Sequence, residues 1–224
     1  MKFQQIHTWE LSPQEAIDIQ NTLKSKVVRS NELGKVSHVA GVDVGFENGA
    51  AFAAAAVLNF PSLKLEEYAI SRAPATFPYI PGLLSFREMP AVLAALEKLA
   101  TPPDLILCDG QGIAHPRGFG IACHIGVVTG IASIGVAKTR LIGSHGEVAN
   151  EKGAWTPLTH KGETVGAVLR TRRGVKPVYI SIGHKIDLET AISCVMAAVT
   201  KYRLPETTRW AHRLASTKRE TSEG

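Results

Sequence analysis

Three acidic residues stand where apolar chain meets a turn or a loop: Asp43 in GVDVGF, Glu88 in SFREMP and Asp109 in LILCDG. Asp43 and Asp109 interrupt or close apolar runs that read as buried strands. A carboxylate in such a place costs free energy unless a cation or hydrogen bonds satisfy it. If they converge, the three make an oxygen cage for a hard divalent cation such as Mg²⁺. In a basic chain that points to phosphate chemistry. Each residue also has a plainer reading. Asp43, flanked by Gly41 and Gly45, fits a turn-forming Asp near a bend. Ser85 to Glu88 has the spacing of a capping box, which needs nothing beyond a helix start. A helix that begins at Pro90 instead leaves Glu88 free to point elsewhere. Asp109 fits a sharp strand-to-loop turn, but Gly110, Gln111 and Gly112 follow it, and glycines let a backbone approach a ligand closely.

Other residues add to this set. Lys138 ends the run IGVAK, where a point charge suits a phosphate. His115, in AHPR, follows Asp109 closely enough to reach the same cleft. His124 lies in an apolar stretch and reads as a satisfied core residue. His212, between Arg209 and Arg213, reads locally as a surface histidine. Pro78-Tyr79-Ile80-Pro81-Gly82 is a loop stiffened by two prolines. Either Tyr79 and Ile80 plug it into the core, or they form a wedge of the kind that nucleic-acid proteins push between stacked bases.

These residues need elements to carry them. Ser12 to Glu15 is a capping box with Pro13 at the first helical position, and Ala16, Ile19, Leu23 and Val27 continue one apolar stripe, so a helix is expected over about 13–29. Residues 36–44, 50–58 and 63–72 read as three short strands of an antiparallel meander. Residues 74–82 form a proline-rich loop. A helix around residues 92–99 follows, then a wholly apolar strand at 105–108, a helix at 121–129 and a buried strand at 131–136. Strands at 165–171 and 178–182, a helix capped by Asp187 and a short helix at 209–215 complete the pattern. The polar tail from about 216 to 224 is expected to fray. The order predicts one α/β domain over residues 1–224, a mixed sheet with helices on both faces. In such sheets ligands collect at the carboxyl ends of the parallel strands, and Asp109 and Lys138 fall just past such ends.

Bulk composition agrees. The 224 residues are 45% apolar, enough for one sizeable core, and carry a formal charge of +5. That charge is compatible with a polyanionic partner. Part of the excess clusters at Arg170, Arg172, Arg173 and Lys176, and part at Lys201, Arg203, Arg209, Arg213, Lys218 and Arg219. Solvated surface is the plain reading of any one of these. Three widely spaced cysteines with no CxxC pair argue against zinc; Cys108 and Cys194 read as core residues, and a reducing cytoplasm is expected. The most apolar long run, residues 121–137, is too short and broken to span a membrane.

Taken together, GVDVGF, TFPYIPGLLSFRE, CDGQGIAHPRGFGIACH, IGVAKTRLIG, ISIGHKI and YRLPETTRWA resemble the endonuclease V (deoxyinosine 3′ endonuclease) family, over about residues 39–211. The ordered set is far more specific than any one run. The resemblance implies a ribonuclease-H-like fold with the first Asp on the first strand of the meander. It implies Asp43, Glu88 and Asp109 as ligands of Mg²⁺, with Mn²⁺ able to substitute, and His212 joining or supporting them. Lys138 would contact the phosphate at the cut. Tyr79, Ile80 and Pro81 would form the wedge, with Tyr79 filling the space of a displaced base. Gly82 and Gly110 would line a narrow pocket for hypoxanthine, with His115 nearby. The implied activity is hydrolysis of the second phosphodiester bond 3′ to inosine in DNA, with inosine-containing single-stranded RNA as a second candidate substrate. A monomer is the expected state. Two positions depart from the family: Gln111 stands where His or Asn is commoner, and some relatives carry Asp where this chain has His212. Two alternatives stay open at this level. GVDVG also resembles the phosphate loop of actin-like and sugar-kinase ATPases, which usually need two such domains. A nucleic-acid-binding module without catalysis is the other.

Overall fold

The computed structural model describes residues 1–3 and 5–220, with side chains described through residue 216. Helix α1 (Pro13–Leu23) begins with the expected capping box: Glu15 N–H donates to Ser12 Oγ at 3.3 Å and Ser12 N–H to the Glu15 carboxylate at 2.8 Å. It stops well short of residue 29 and tightens into one 3₁₀ turn, Lys24–Lys26. The chain then finds tertiary partners for its backbone. Val28 N–H donates to His184 Nδ1 at 3.2 Å, and Val28 O accepts from Lys185 N–H at 2.7 Å.

The expected antiparallel meander is present as β1 (His38–Glu47), β2 (Ala50–Asn59) and β3 (Leu65–Pro74). Next come α2 (Leu84–Glu97), β4 (Leu105–Cys108), α3 (Ile121–Thr129) and β5 (Ala132–Ala137). Strands β6 (Trp155–His160), β7 (Glu163–Leu169) and β8 (Val178–His184) precede α4 (Leu188–Ala197) and α5 (Glu206–Glu220). One eight-stranded sheet has the order β3-β2-β1-β4-β5-β8-β7-β6. Strands β1, β4 and β5 are parallel neighbours, so Asp109 and Lys138 emerge side by side at the same edge.

Strand β6 and helix α5 also differ from the expectation. Strand β6 is not legible in the sequence because it contains Pro157 and buries only Leu158. It lies at the sheet edge, where a proline without an N–H is tolerated. Helix α5 starts earlier than residue 209 and continues through Glu220, past the point where fraying was expected. Lys218, Arg219 and Glu220 are good helix formers, so a polar run there continues the helix. Residues 221–224 of that expected tail lie outside the described residues.

Alternate residues along the central strands feed two cores. Val39, Leu105, Leu107, Ile134 and Val136 pack with α4 and α5. Ala40, Val42, Ile106 and Cys108 pack with α2 and α3. Strand β2 is covered on both sides, by α2 and α5, and its run of alanines lets both helices close on it. At Gly41 the fit is tighter still: a Cβ there would lie 2.1 Å from the Thr207 carbonyl oxygen of α5.

His124 is the satisfied core residue expected of it, fully buried in α3. Its Nε2 is 2.8 Å from His7 Nε2 and its Nδ1 is 3.1 Å from Ser85 Oγ. His7 Nδ1 lies 2.6 Å from Thr8 O, and only an N–H can make that bond. His7 Nε2 therefore accepts from His124 Nε2–H, and His124 Nδ1 accepts from the Ser85 hydroxyl. Both rings are neutral. Burial pushes both below the ordinary histidine value, His124 well below it. The sign follows: this contribution is complete above the unfolded value near 6.5 and is lost as pH falls toward the native values. In histidine-detected NMR, His124 is expected to hold its neutral-tautomer shifts from pH 8 down to pH 5. Protonation of that ring near its ordinary value, in a folded sample, contradicts the arrangement.

Candidate active site

Asp43 does not sit in a bend. It pairs with Ala54 in the middle of the β1–β2 ladder, a rigid mount. His212 reaches it from α5, with Nδ1 2.7 Å from Asp43 Oδ2. The close seat of α5 on Gly41 brings the two together. Burial raises the Asp43 carboxyl above its usual range; the His212 hydrogen bond opposes this, and the Asp109 charge adds to it.

Neither expected origin for the Glu88 segment holds. Helix α2 begins at Leu84, ahead of both candidate starts, and its N-cap, Leu83, makes no side-chain cap. Ser85 is inside the helix with its hydroxyl on His124, so no capping box forms. Pro90 is also inside, where it removes the hydrogen bond normally given to the Phe86 carbonyl. Glu88 is thus presented from the second turn of a helix. Its carboxyl is pushed up to about 8, first by burial, then by the Asp43 and Asp109 charges, with Arg87 opposing.

Asp109 follows β4 directly and is paired with the Lys138 ammonium, which follows β5. The intervening loop is held tightly. Gly110 has φ +151°, and a Cβ on it would lie 2.7 Å from Ile121 Cγ2. Gln111 Nε2 donates to Thr139 O at 3.1 Å, so its side chain ties this loop to the segment carrying Lys138.

Glu88, Asp109, Gly110 and Lys138 line a cleft of about 370 Å³ together with Tyr79 and Gly82. The core-plug reading of the proline-rich loop holds for Ile80 and not for Tyr79. Ile80 is partly buried against Phe77, Leu83 and Phe86, while Tyr79 is 68% exposed at the mouth of the cleft, beside an exposed Pro81. The loop is pinned through one atom. The Gly82 carbonyl accepts from Gln20 Nε2 at 3.0 Å, His115 Nε2 at 2.9 Å and Arg117 Nη2 at 2.7 Å. His115 Nδ1 accepts from the Arg117 N–H at 3.2 Å, so Nε2 carries the ring proton. Burial, then the Arg117 charge, lowers His115 to about 4. Both ring nitrogens are spent on backbone, Nε2 on the Gly82 carbonyl and Nδ1 on the Arg117 N–H; His115 lines the cleft but serves it by positioning Gly82. Gln20 and Arg117 were not singled out from the sequence. The available signal was a polar residue at position 20 on the apolar stripe of α1.

The three carboxylates face one another through the charges just described. Among the described residues, no three His, Cys, Asp or Glu side chains already form a ligand cage. The donor chemistry nonetheless fits a hard cation: the groups are carboxylates, and two of them carry raised pKa values because negative charge is crowded and desolvated. The Lys138 ammonium supplies only part of the missing positive charge.

A family profile described as Endonuclease V matches residues 21–213. The chain belongs to the endonuclease V family. It is 58% identical over 220 residues to an endonuclease V from Rippkaea orientalis, covering 97% of this chain and 96% of that protein. The crystal structure of endonuclease V from Streptomyces avermitilis superposes with a TM-score of 0.92 at 41% identity, covering 96% of each chain. An endonuclease V from Ciona intestinalis, in complex with a 24mer DNA containing an inosine followed by a ribo-adenosine, gives a TM-score of 0.81 at 28% identity, over 93% of this chain and 98% of that one. The sheet is accordingly of the ribonuclease-H-like type, and the endonuclease V assignment makes this a nuclease. Nothing in the fold favours the ATPase or the non-catalytic reading. No helix among the described residues is long and apolar enough to cross a membrane.

Proposed function

We propose that this chain is a single-domain, metal-dependent endonuclease that recognises inosine in nucleic acid and hydrolyses the second phosphodiester bond on its 3′ side, opening the repair of deaminated adenine. The observation that carries this is the shared cleft: Glu88, Asp109 and Lys138 line the same space as Tyr79, Gly82 and Gly110. The inosine-containing DNA held by the Ciona intestinalis relative supports the substrate. Asp43, Glu88 and Asp109 would hold Mg²⁺, or Mn²⁺ in its place. Such an ion, when bound, lowers the pKa of attacking water and polarises the phosphoryl oxygens.

The chain's own residues do the rest. Lys138 offers its ammonium to a non-bridging oxygen of the scissile phosphate, at the edge of the sheet where Asp109 emerges. His212 holds Asp43 through Nδ1 and fixes the orientation of that carboxylate. Water attacks phosphorus in line, the P–O3′ bond breaks, and the products are a 3′-hydroxyl and a 5′-phosphate. Tyr79 stands out from its anchored loop to fill the gap left by an extruded base. Backbone at Gly82 and Gly110 bounds a pocket for hypoxanthine, which lacks the exocyclic amines of adenine and guanine. Extrusion costs least for a base that pairs poorly. A monomer is the proposed state, and three free thiols support a reducing, cytoplasmic setting. Inosine in single-stranded RNA fits the same cleft chemistry.

The test is nicking of an end-labelled strand carrying one inosine, with and without EDTA. A single metal-dependent product ending one nucleotide beyond the inosine is expected; no cleavage, or equal cleavage of an unmodified strand, rejects the reading. Tyr79→Ala is expected to lower the preference for inosine over adenine strands about tenfold, since base–aromatic contacts contribute about 1–3 kcal/mol. Unchanged preference would remove the wedge role.

A further inference from the structure

A second cavity, of about 520 Å³, adjoins the first, and the two share Lys138, Thr139 and Arg140. The first extends from that segment to Tyr79 and Gly82. The second extends the other way, to His145, Arg170, Lys176 and Arg203. Among the described residues, Glu147 is the one carboxylate lining it. Lys138 is bound to Asp109, but Arg140, Arg170, Lys176 and Arg203 have no acidic partner among the described residues.

Two of these cations build the walls. Arg170 donates to the carbonyls of Val148 (3.0 Å), Ala149 (3.3 Å) and Val175. Arg203 Nη2 donates to the carbonyls of Lys138 and Pro177, each at 2.7 Å. Their partners are neutral, so their positive charge is directed but not cancelled. Arg140 and Lys176 stand exposed at the rim. The rings of His145 and Tyr179 meet edge to face in the same cavity, centroids 5.8 Å apart, an aromatic surface of the kind on which unpaired bases stack.

Resting on the function proposed above, we infer that this second cavity is a track for one strand of nucleic acid leaving the cut on its 3′ side. The order of the parts sets the direction. The lesion pocket lies on one side of the shared segment 138–140, and Arg170, Lys176 and Arg203 line only the cavity on the other, so a strand held at Lys138 by the scissile phosphate passes its far arm from Arg140 toward Lys176. Uncompensated cations along a groove with an aromatic surface suit a single strand, with phosphates on the rim and bases toward Tyr179.

The experiment uses single-stranded inosine oligonucleotides with a fixed 5′ arm and 3′ arms reaching one, four or eight nucleotides beyond the cut. Binding to the metal-free protein is followed by fluorescence anisotropy at several salt concentrations, and nicking is measured in Mg²⁺. Wild type is expected to bind more tightly as the 3′ arm grows, and Lys176→Glu to lose most of that gain. For the long arm, Lys176→Gln is expected to shallow the slope of log affinity against log salt by about 0.7, the value for one phosphate contact on a single strand. Both variants should nick the shortest substrate at the wild-type rate. An affinity indifferent to 3′ length, or a Lys176 effect that is the same for every 3′ arm, overturns the track while wild-type nicking still stands. Failure of wild type to nick any inosine strand overturns the functional reading instead.

Discussion

Glu88→Gln is expected to give a protein that folds more stably without metal and hardly cuts. The carboxyl of Glu88 is raised from about 4.5 to about 8 by burial and by the charges of Asp43 and Asp109. A raised carboxyl favours the neutral form in the fold. Relative to the unfolded chain, its contribution is complete below pH 4.5 and is lost as pH rises through 8. Each unit of such a shift corresponds to about 1.4 kcal/mol, so at pH 8 and above the ionised group costs the metal-free fold a few kcal/mol. Glutamine keeps the shape and removes that cost. In denaturant titrations with EDTA at pH 8.5, the variant's midpoint should exceed that of wild type, and the gap should close near pH 5. Adding Mg²⁺ should raise the wild-type midpoint, as a ligand specific to the native state does, and move the variant much less. Nicking should fall by roughly a thousandfold, the equivalent of about 4 kcal/mol of barrier. A variant that nicks at near the wild-type rate, or is no more stable at high pH, removes Glu88 from the cation site.

The same residue shows where the sequence stopped speaking. Ser85-Phe86-Arg87-Glu88 has the spacing of a helix cap, and Pro90 the habit of a helix start. Both cues are local. The bond that decides the matter joins Ser85 to His124, 39 residues away, and His124 is in turn held by His7 at the other end of the chain. No window of a dozen residues contains that information. Asp109 is the opposite case. LILC is covered on both faces, its residues alternate between two cores, and the strand ends where the apolar run ends. Burial of a short strand is written in its own residues, so the strand and the carboxylate at its tip were legible. The pin on Gly82 was not. Its donors, Gln20, His115 and Arg117, lie up to 62 residues from the carbonyl they hold, and each looks unremarkable in its own neighbourhood. The proline-rich loop read two ways for a related reason: proline content announces stiffness, but which side chain faces inward depends on Phe77, Leu83 and Phe86 beneath it.

Gly41 carries the second large effect. From its place beside Asp43 it reads as a bend-former, yet it lies in extended strand and its role is to be small. A Cβ there would stand 2.1 Å from Thr207 O and 2.7 Å from Thr208 N, both backbone atoms that cannot rotate away. Gly41→Ala must therefore lift α5 from β1. Overpacking of this kind costs about 3 kcal/mol at the upper end of the usual range, which for a chain of this size is a fall in Tm of about 6–12 °C. The chemistry should suffer beyond the loss of fold, because α5 also carries His212 to its 2.7 Å contact with Asp43. The comparison that separates the two is His212→Ala. That side chain is 65% exposed, so its removal should lower nicking while leaving Tm within a few degrees of wild type, whereas Gly41→Ala lowers both. If Gly41→Ala keeps the wild-type Tm and nicks normally, helix α5 is not seated on the strand as described, and the mount that aligns Asp43 with His212 has to be found elsewhere.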